Sequence, residues 1–277
     1  MKSIIFRKVF SGVLFLSIIS FVGGLNAFAW TITADFEQGT VGQLAGGPSG
    51  LSEPYSQTIF SDTIVHTGTR SAKTSFSQGS TGSSQYGGGI TFPSNLVSGN
   101  ELWARGYFYF EPGFSFTCSP VIKIFRIARV KTAGGSHGGY LSVMSNSSGE
   151  ILLSNEVDND GIRAEYKTGV NFTVGAWQSI EMYAKLSTTN PILRIWKDGI
   201  LIIEKTDYNT LGNSTDVADF GLLYTYWNGG SPKNQVAYND DIVFTTEQPT
   251  NRDAKGNYMI GSMGWPPPSK PTNLIVR

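Results

Sequence analysis

Between residues 102 and 110 the chain alternates strictly. Leu102, Ala104, Gly106, Phe108 and Phe110 are apolar or small, and Trp103, Arg105, Tyr107 and Tyr109 stand between them. Successive side chains of a strand point to opposite faces, so this segment predicts a strand with one face in a core. The same pattern predicts strands at 31–36, 71–76, 89–92, 121–129, 140–144, 151–154, 162–166, 178–186, 192–197, 200–205, 219–226 and 240–245. Asp198-Gly199 reads as a two-residue hairpin turn, and Asp158-Asn159-Asp160-Gly161 as a second turn. No stretch keeps a helical period beyond about one turn. Many short strands with one apolar face each predict an all-β fold of two packed antiparallel sheets, a jelly-roll sandwich.

The second face of several strands is unusual. Glu181, Tyr183 and Lys185 oppose Ile180, Met182, Ala184 and Leu186, while Arg194 and Trp196 oppose Leu193 and Ile195. Together with Trp103, Arg105, Tyr107 and Tyr109 they predict an aromatic and charged trough. Flat rings stack on the apolar faces of sugars and a cation meets a carboxylate, so the trough suits an acidic carbohydrate. Lys123 and Arg126 have opposite parity, so only one of them reaches a cleft unless a bulge intervenes. Three loops, 77–89, 132–139 and 228–235, are rich in Gly, Ser and Asn, a composition common at the rims of sites. His137 lies in the second of them and is a candidate functional group; His66 reads as part of a structural turn.

Composition narrows the class. Lys plus Arg and Asp plus Glu each number 21, a net charge of zero, which offers no broad basic field for nucleic acid or an anionic membrane. Glycine numbers 33 and aromatics reach 13%, consistent with strands joined by turns. Lys2, Arg7 and Lys8 precede an apolar run over 9–22, and Ala27-Phe28-Ala29 supplies a small-x-small cleavage site, so residues 1–29 read as a secretory signal. The expected product is a monomer, secreted or periplasmic, with a domain over 30–263 and a Pro-rich tail over 264–277. Cys118 is the single cysteine and reads as a buried thiol rather than a nucleophile.

The segments Gly99-Asn100-Glu101-Leu102-Trp103-Ala104-Arg105-Gly106-Tyr107-Phe108-Tyr109, Val121-Ile122-Lys123-Ile124-Phe125-Arg126-Ile127, Leu193-Arg194-Ile195-Trp196-Lys197-Asp198-Gly199 and Tyr238-Asn239-Asp240-Asp241-Ile242-Val243 resemble the concanavalin A-like polysaccharide lyases of the heparin lyase I and glucuronan lyase type. The resemblance spans residues 35–261. It implies a jelly roll, a concave groove, β-elimination of uronic-acid polysaccharides and, in some members, a structural calcium. Such chemistry neutralises the uronate carboxylate, removes the C5 proton and protonates the departing oxygen. Arg105 is the candidate neutraliser. A tyrosine between cations can carry the proton, and Tyr224 or Tyr226 with Lys123 takes that role by analogy with the family, His137 assisting. Heparin lyases have strongly basic clefts; a chain of zero net charge points to an unsulfated uronan.

Two other readings stay open. A non-catalytic carbohydrate-binding or adhesion domain would use the same trough without a proton carrier. A glycoside hydrolase would need paired carboxylates, for which Glu156, Asp158 and Asp160 are the candidates, although Asn159 and Gly161 make this segment a turn. Sandwiches of this kind bring first and last strands together, so Asp35 or Glu37 is expected to meet Asp240 or Asp241 around Ca²⁺, with Glu37, Asp240 and Asp241 the leading ligands and carbonyl oxygens completing the shell. No other cofactor is expected.

Overall fold

The computed structural model describes residues 29–82, 84–157 and 164–261. Its strands are β1 (Thr31–Ala34), β2 (Glu53–Pro54), β3 (Thr58–Ser61), β4 (Ser71–Phe76), β5 (Gly88–Leu96), β6 (Glu101–Phe110), β7 (Ile122–Lys131), β8 (His137–Ser145) and β9 (Glu150–Asn155). They continue with β10 (Ala164–Asn171), β11 (Trp177–Lys185), β12 (Ile192–Lys197), β13 (Ile200–Lys205), β14 (Val217–Trp227), β15 (Gln235–Thr245), β16 (Asn251–Arg252) and β17 (Tyr258–Met259). The first sheet runs β13-β12-β11-β6-β15-β4-β3, with β1 also on β15; the second runs β10-β9-β8-β7-β14-β5-β2. Every ladder in both is antiparallel. The all-β sandwich expected from the alternation is the observed fold. The signal segment, the Asp158–Gly161 turn and the Pro-rich tail lie outside the described residues.

Alternation places the inward faces as expected. Leu102, Ala104, Phe108 and Phe110 of β6 and Ile180, Met182 and Ala184 of β11 meet Ile124, Phe125, Ile127 and Ala128 of β7 in one continuous core. A fully buried Phe or Leu contributes about 1.5–3 kcal/mol, so this core, without a disulfide, accounts for a stable domain. Asp198 and Gly199 both have positive φ, 50° and 78°, the geometry of the two-residue turn that joins β12 to β13. Cys118 has no disulfide partner, and burial pushes its thiol up to about 11, which keeps it inert at neutral pH.

Among the register shifts of the two sheets, the bulges in β7, β14 and β15 position the chemistry. In β7, Lys123 and Phe125 face Met144 and Val143 in succession, and Arg126 and Ala128 face Ser142 and Leu141, so β7 carries one extra residue at each step. In β14 the register shifts between Leu223 and Tyr226, and Tyr224 sits there in the left-handed region at φ 46°. In β15 it shifts between Asp240 and Val243, with Asp241 at φ 47°.

Candidate active site

The bulges of β7 change a period of two into a period of three. Lys123, Arg126 and Arg129 all line one groove on the outer face of the second sheet, while the pairs Ile124-Phe125 and Ile127-Ala128 between them go to the core. Their partners on β8, Met144, Ser142 and Tyr140, are two residues apart, so the cations recur about every 7 Å along the floor. The cavity there has a volume of about 370 Å³ and is also lined by Glu53, Tyr55, Ser84, Tyr140, Glu156, Phe220, Leu222, Thr225 and Tyr226.

Each cation has a distinct setting. The Lys123 ammonium stands 4.9 Å from the centre of the Tyr226 ring and donates to Asn228 Oδ1, in the Gly-rich loop after β14. Arg126 reaches Glu156 Oε2 at 3.0 Å, with its guanidinium carbon 3.7 Å from the Tyr140 ring centre. Arg129 grips Asp219 through Nε at 2.9 Å and Nη2 at 2.8 Å, and Lys131 Nζ approaches the same carboxylate at 2.6 Å. Burial pushes the Asp219 carboxyl up, but the hydrogen bonds from Arg129 and Lys131 outweigh it and hold it below the usual carboxylate range. His137 is exposed at the start of β8, its ring 4.6 Å from Tyr140.

Tyr224 and Tyr226 do not share a face. The bulge turns Tyr224 inward, where it packs edge-on against Phe76 and Phe108 at 5.3 and 6.1 Å and is 1% exposed. Burial raises its phenol far above the ordinary value, so Tyr224 is a core residue and not a proton carrier. Tyr226 stays in the groove beside Lys123.

The expected trough on the first sheet is a second, closed core. Strand parity does put Trp103, Arg105, Tyr107, Tyr109, Glu181, Tyr183, Arg194 and Trp196 on the outer side, but the chain after β15 crosses that face and covers much of it. Trp103, Tyr183, Trp196, Val243, Met259 and Ile260 pack as one cluster. The Glu181 carboxylate accepts the amides of Ile260 at 2.6 Å and Gly261 at 2.9 Å, and Arg105 Nη1 donates to Gly261 O at 2.7 Å. Trp103 Nε1 donates to Tyr258 O and Trp196 Nε1 to Asp253 Oδ2. Tyr107 stacks on His66 at 3.6 Å, and Tyr109 packs against Trp177. Arg194 pairs with Glu204, and Lys185 sits at the strand end opposite Glu101. Arg105 is 5% exposed and cannot receive a substrate carboxylate without removal of this strap.

The acidic candidates for calcium separate as well. Glu37 accepts the amides of Thr69 and Arg70 and the Thr69 hydroxyl, clamping the 66–70 loop. Asp240 is fully buried and accepts the amides of His66 and Thr67, and Asp241 meets His66 Nδ1 at 2.7 Å. No three His, Cys, Asp or Glu side chains converge among the described residues as a metal cluster. His66 thus has the structural turn role expected of it. Of the hydrolase candidates, Glu156 lies in the groove engaged with Arg126, and Asp158 and Asp160 lie outside the described residues.

No family model and no curated protein sequence matches this chain. Solved structures do. An endo-β-1,4-glucuronan lyase from Trichoderma reesei superimposes with a TM-score of 0.58 at 13% identity, covering 78% of this chain and 95% of its own. The fold is that of the concanavalin A-like polysaccharide lyases. A variant of alginate lyase Aly36B in complex with alginate trisaccharide gives a TM-score of 0.57 at 13% identity, covering 77% of this chain and 97% of its own. Alginate lyase vAL-1 from a Chlorella virus gives 0.53 at 15%, covering 68% and 89%. In this sandwich the open groove lies on the second sheet, and of the expected site residues it brings together Lys123 and Tyr226, with His137 near its rim. Sequence reasoning missed Arg129, Tyr140 and the part played by Arg126. The signal was the spacing Lys123-x-x-Arg126-x-x-Arg129 with paired apolar residues between, which is a doubly bulged strand written in sequence.

Proposed function

We propose that this protein is a secreted polysaccharide lyase that cleaves an unsulfated uronic-acid polysaccharide by β-elimination in the groove of the second sheet. The observation that carries the reading is the row of Lys123, Arg126 and Arg129 along the groove floor, flanked by the phenols of Tyr140 and Tyr226. A uronan is a regular array of carboxylates, and a regular row of cations is its electrostatic complement. Arg126 takes the carboxylate of the reacting sugar, which makes its C5 proton acidic. Tyr226 removes that proton, with the Lys123 ammonium stabilising the charge left on the phenol, and returns it to the departing oxygen. The C5–H and C4–O bonds break, the C4–C5 double bond forms, and no external reactant is consumed. His137 assists from the rim beside Tyr140.

Incubation of the purified protein with glucuronan, alginate and polygalacturonate, followed by ultraviolet absorbance of the unsaturated end, tests this. Activity is expected on one of them and not on a neutral glucan. A second reading, a carbohydrate-binding domain without catalysis, is favoured by the acids that already neutralise Arg126 and Arg129. Binding of uronans with no unsaturated product would select it.

Export and calcium enter as parts of the same proposal. Trp30 packs on Phe92 at 5.1 Å, donates its amide to Thr246 Oγ1 and accepts the Thr246 amide at its carbonyl, so a chain cut after Ala29 keeps the contacts of β1. We place Ca²⁺ at Asp240 and Asp241, adjacent carboxylates of which the first has no Lys or Arg partner among the described residues; main-chain oxygens would complete the shell. Glu37 is spent on the 66–70 loop. Chelator is expected to lower the melting temperature and added Ca²⁺ to restore it, by linkage to the folded state; an unmoved transition removes the ion from the proposal.

A further inference from the structure

Arg126 stands on β7 and Glu156 follows β9, with β8 between them. Their 3.0 Å contact therefore bridges two ladder spacings, about 10 Å of sheet, with the two side chains meeting over β8. It passes Tyr140, whose ring it covers, and its register partner Ser142, which in turn faces Ser154 on β9. Both serines are fully buried, and neither hydroxyl has a hydrogen-bond partner among the described residues. Unmade hydrogen bonds of buried hydroxyls are uncommon and costly. The two lie in the register row of Arg126, outside the lining of the open cavity, so they become reachable to polar ligand atoms only when that side chain shifts.

We propose that Glu156 is a built-in stand-in for the substrate carboxylate. It holds Arg126 across the groove floor in the empty protein and yields it to an incoming uronate, whose ring hydroxyls then meet Ser142 and Ser154. The inference rests on the uronan reading of this groove and adds the device that selects acidic sugars. Exchanging one carboxylate for another leaves the guanidinium paired throughout, and the released Glu156 carboxylate, 16% exposed, keeps access to water. A neutral sugar has no charge with which to displace Glu156, and the pair therefore works against neutral chains as well as for acidic ones. The cost falls on affinity, because the uronate must compete with a tethered carboxylate.

Glu156→Gln keeps the shape and removes the competing charge. Calorimetric titration with a saturated uronate tetrasaccharide is expected to show binding about three- to tenfold tighter than wild type, up to roughly 1.4 kcal/mol, and if the protein cleaves, KM falls by a similar factor. Discrimination against a neutral tetrasaccharide narrows in the same variant. Glu156→Asp, which withdraws the carboxylate by one methylene, is expected to lie between the two and serves if the glutamine variant melts early. Ser142→Ala with Ser154→Ala is expected to weaken uronate binding several-fold without lowering the melting temperature, since no hydrogen bond of the fold is lost; an early-melting double variant would instead assign the serines to the fold. Unchanged or weaker uronate binding in Glu156→Gln at unchanged melting temperature overturns the inference and makes Glu156 a brace for Arg126. Wild-type protein that binds no uronan overturns the proposed function itself, and this inference with it; these are separate results of the same titration.

Discussion

Arg126→Ala is expected to lower turnover of the accepted uronan by about 10²–10³-fold, the usual cost of removing a group that stabilises developing charge in the transition state. The carboxylate of the reacting sugar carries more negative charge as the C5 proton leaves, so the interaction strengthens toward the transition state and the loss falls mainly on kcat. Arg126→Lys keeps the charge without the planar fork and should recover part of it. The measurement is the initial rate of unsaturated-end formation, with the melting temperature as control. Arg105→Ala is the informative companion. It stood out in the sequence as the neutraliser, yet it is buried beneath Gly261, so activity per folded molecule should survive its loss. The reverse pattern, with Arg126 dispensable and Arg105 essential, would return the site to the first sheet.

A large stability effect is expected at Glu181. Burial pushes its carboxyl up from the ordinary 4.5 to about 7, although the amides of Gly261 and Ile260 and the Arg105 charge pull the other way. A raised folded value means the native state holds the proton more tightly than the unfolded chain. The stabilisation is therefore fully present below about pH 4.5 and is lost as pH rises to about 7, a swing of roughly 3 kcal/mol. In a domain of this size that corresponds to about 6–12 °C in melting temperature. Thermal melts followed by circular dichroism between pH 5 and pH 8 should fall with pH in the wild type and fall less steeply in Glu181→Gln, where buried Asp240, its carboxyl pushed up to about 8, supplies the remaining slope. Arg105 stands opposite Glu181 in register and its charge favours the carboxylate, so the destabilisation by Arg105→Ala should be greater at pH 8 than at pH 5. A wild-type profile that rises with pH over this range would show that Glu181 is ionised and fully compensated in the fold.

Both expectations turn on which outer face of the sandwich is covered. Alternation along β6, β11 and β12 correctly placed Trp103, Arg105, Glu181, Tyr183 and Trp196 on the outward side, and an outward face rich in aromatics and charge is what a sugar trough would show. A strap of the same chain gives the same signature. The indoles of Trp103 and Trp196 need acceptors and Glu181 needs donors, and here β17 and the residues around it supply them. Short segments such as β16 and β17 carry almost no periodic signal, so nothing local in 251–261 announced that it would lie there.

The alternation of apolar and polar residues by itself determined the strands, the inward faces, the hairpin at Asp198-Gly199 and hence the all-β sandwich, because a strand's two faces are set by neighbours one and two residues away. The apolar run over 9–22 that reads as an export signal and the zero net charge were likewise local or additive properties. Tertiary structure alone decided where the open groove lies. The bulges in β7 and β14 depend on pairing with β8 and on each other, and they turned Lys123, Arg126 and Arg129 to one face and sent Tyr224 inward while keeping Tyr226 out. The closing of the rival face depends on contacts between β6 and a segment about 150 residues later, as in the bond from Arg105 to Gly261. Side-chain period is a local property of the backbone; register shifts and coverage are non-local, and the site was built from the non-local part.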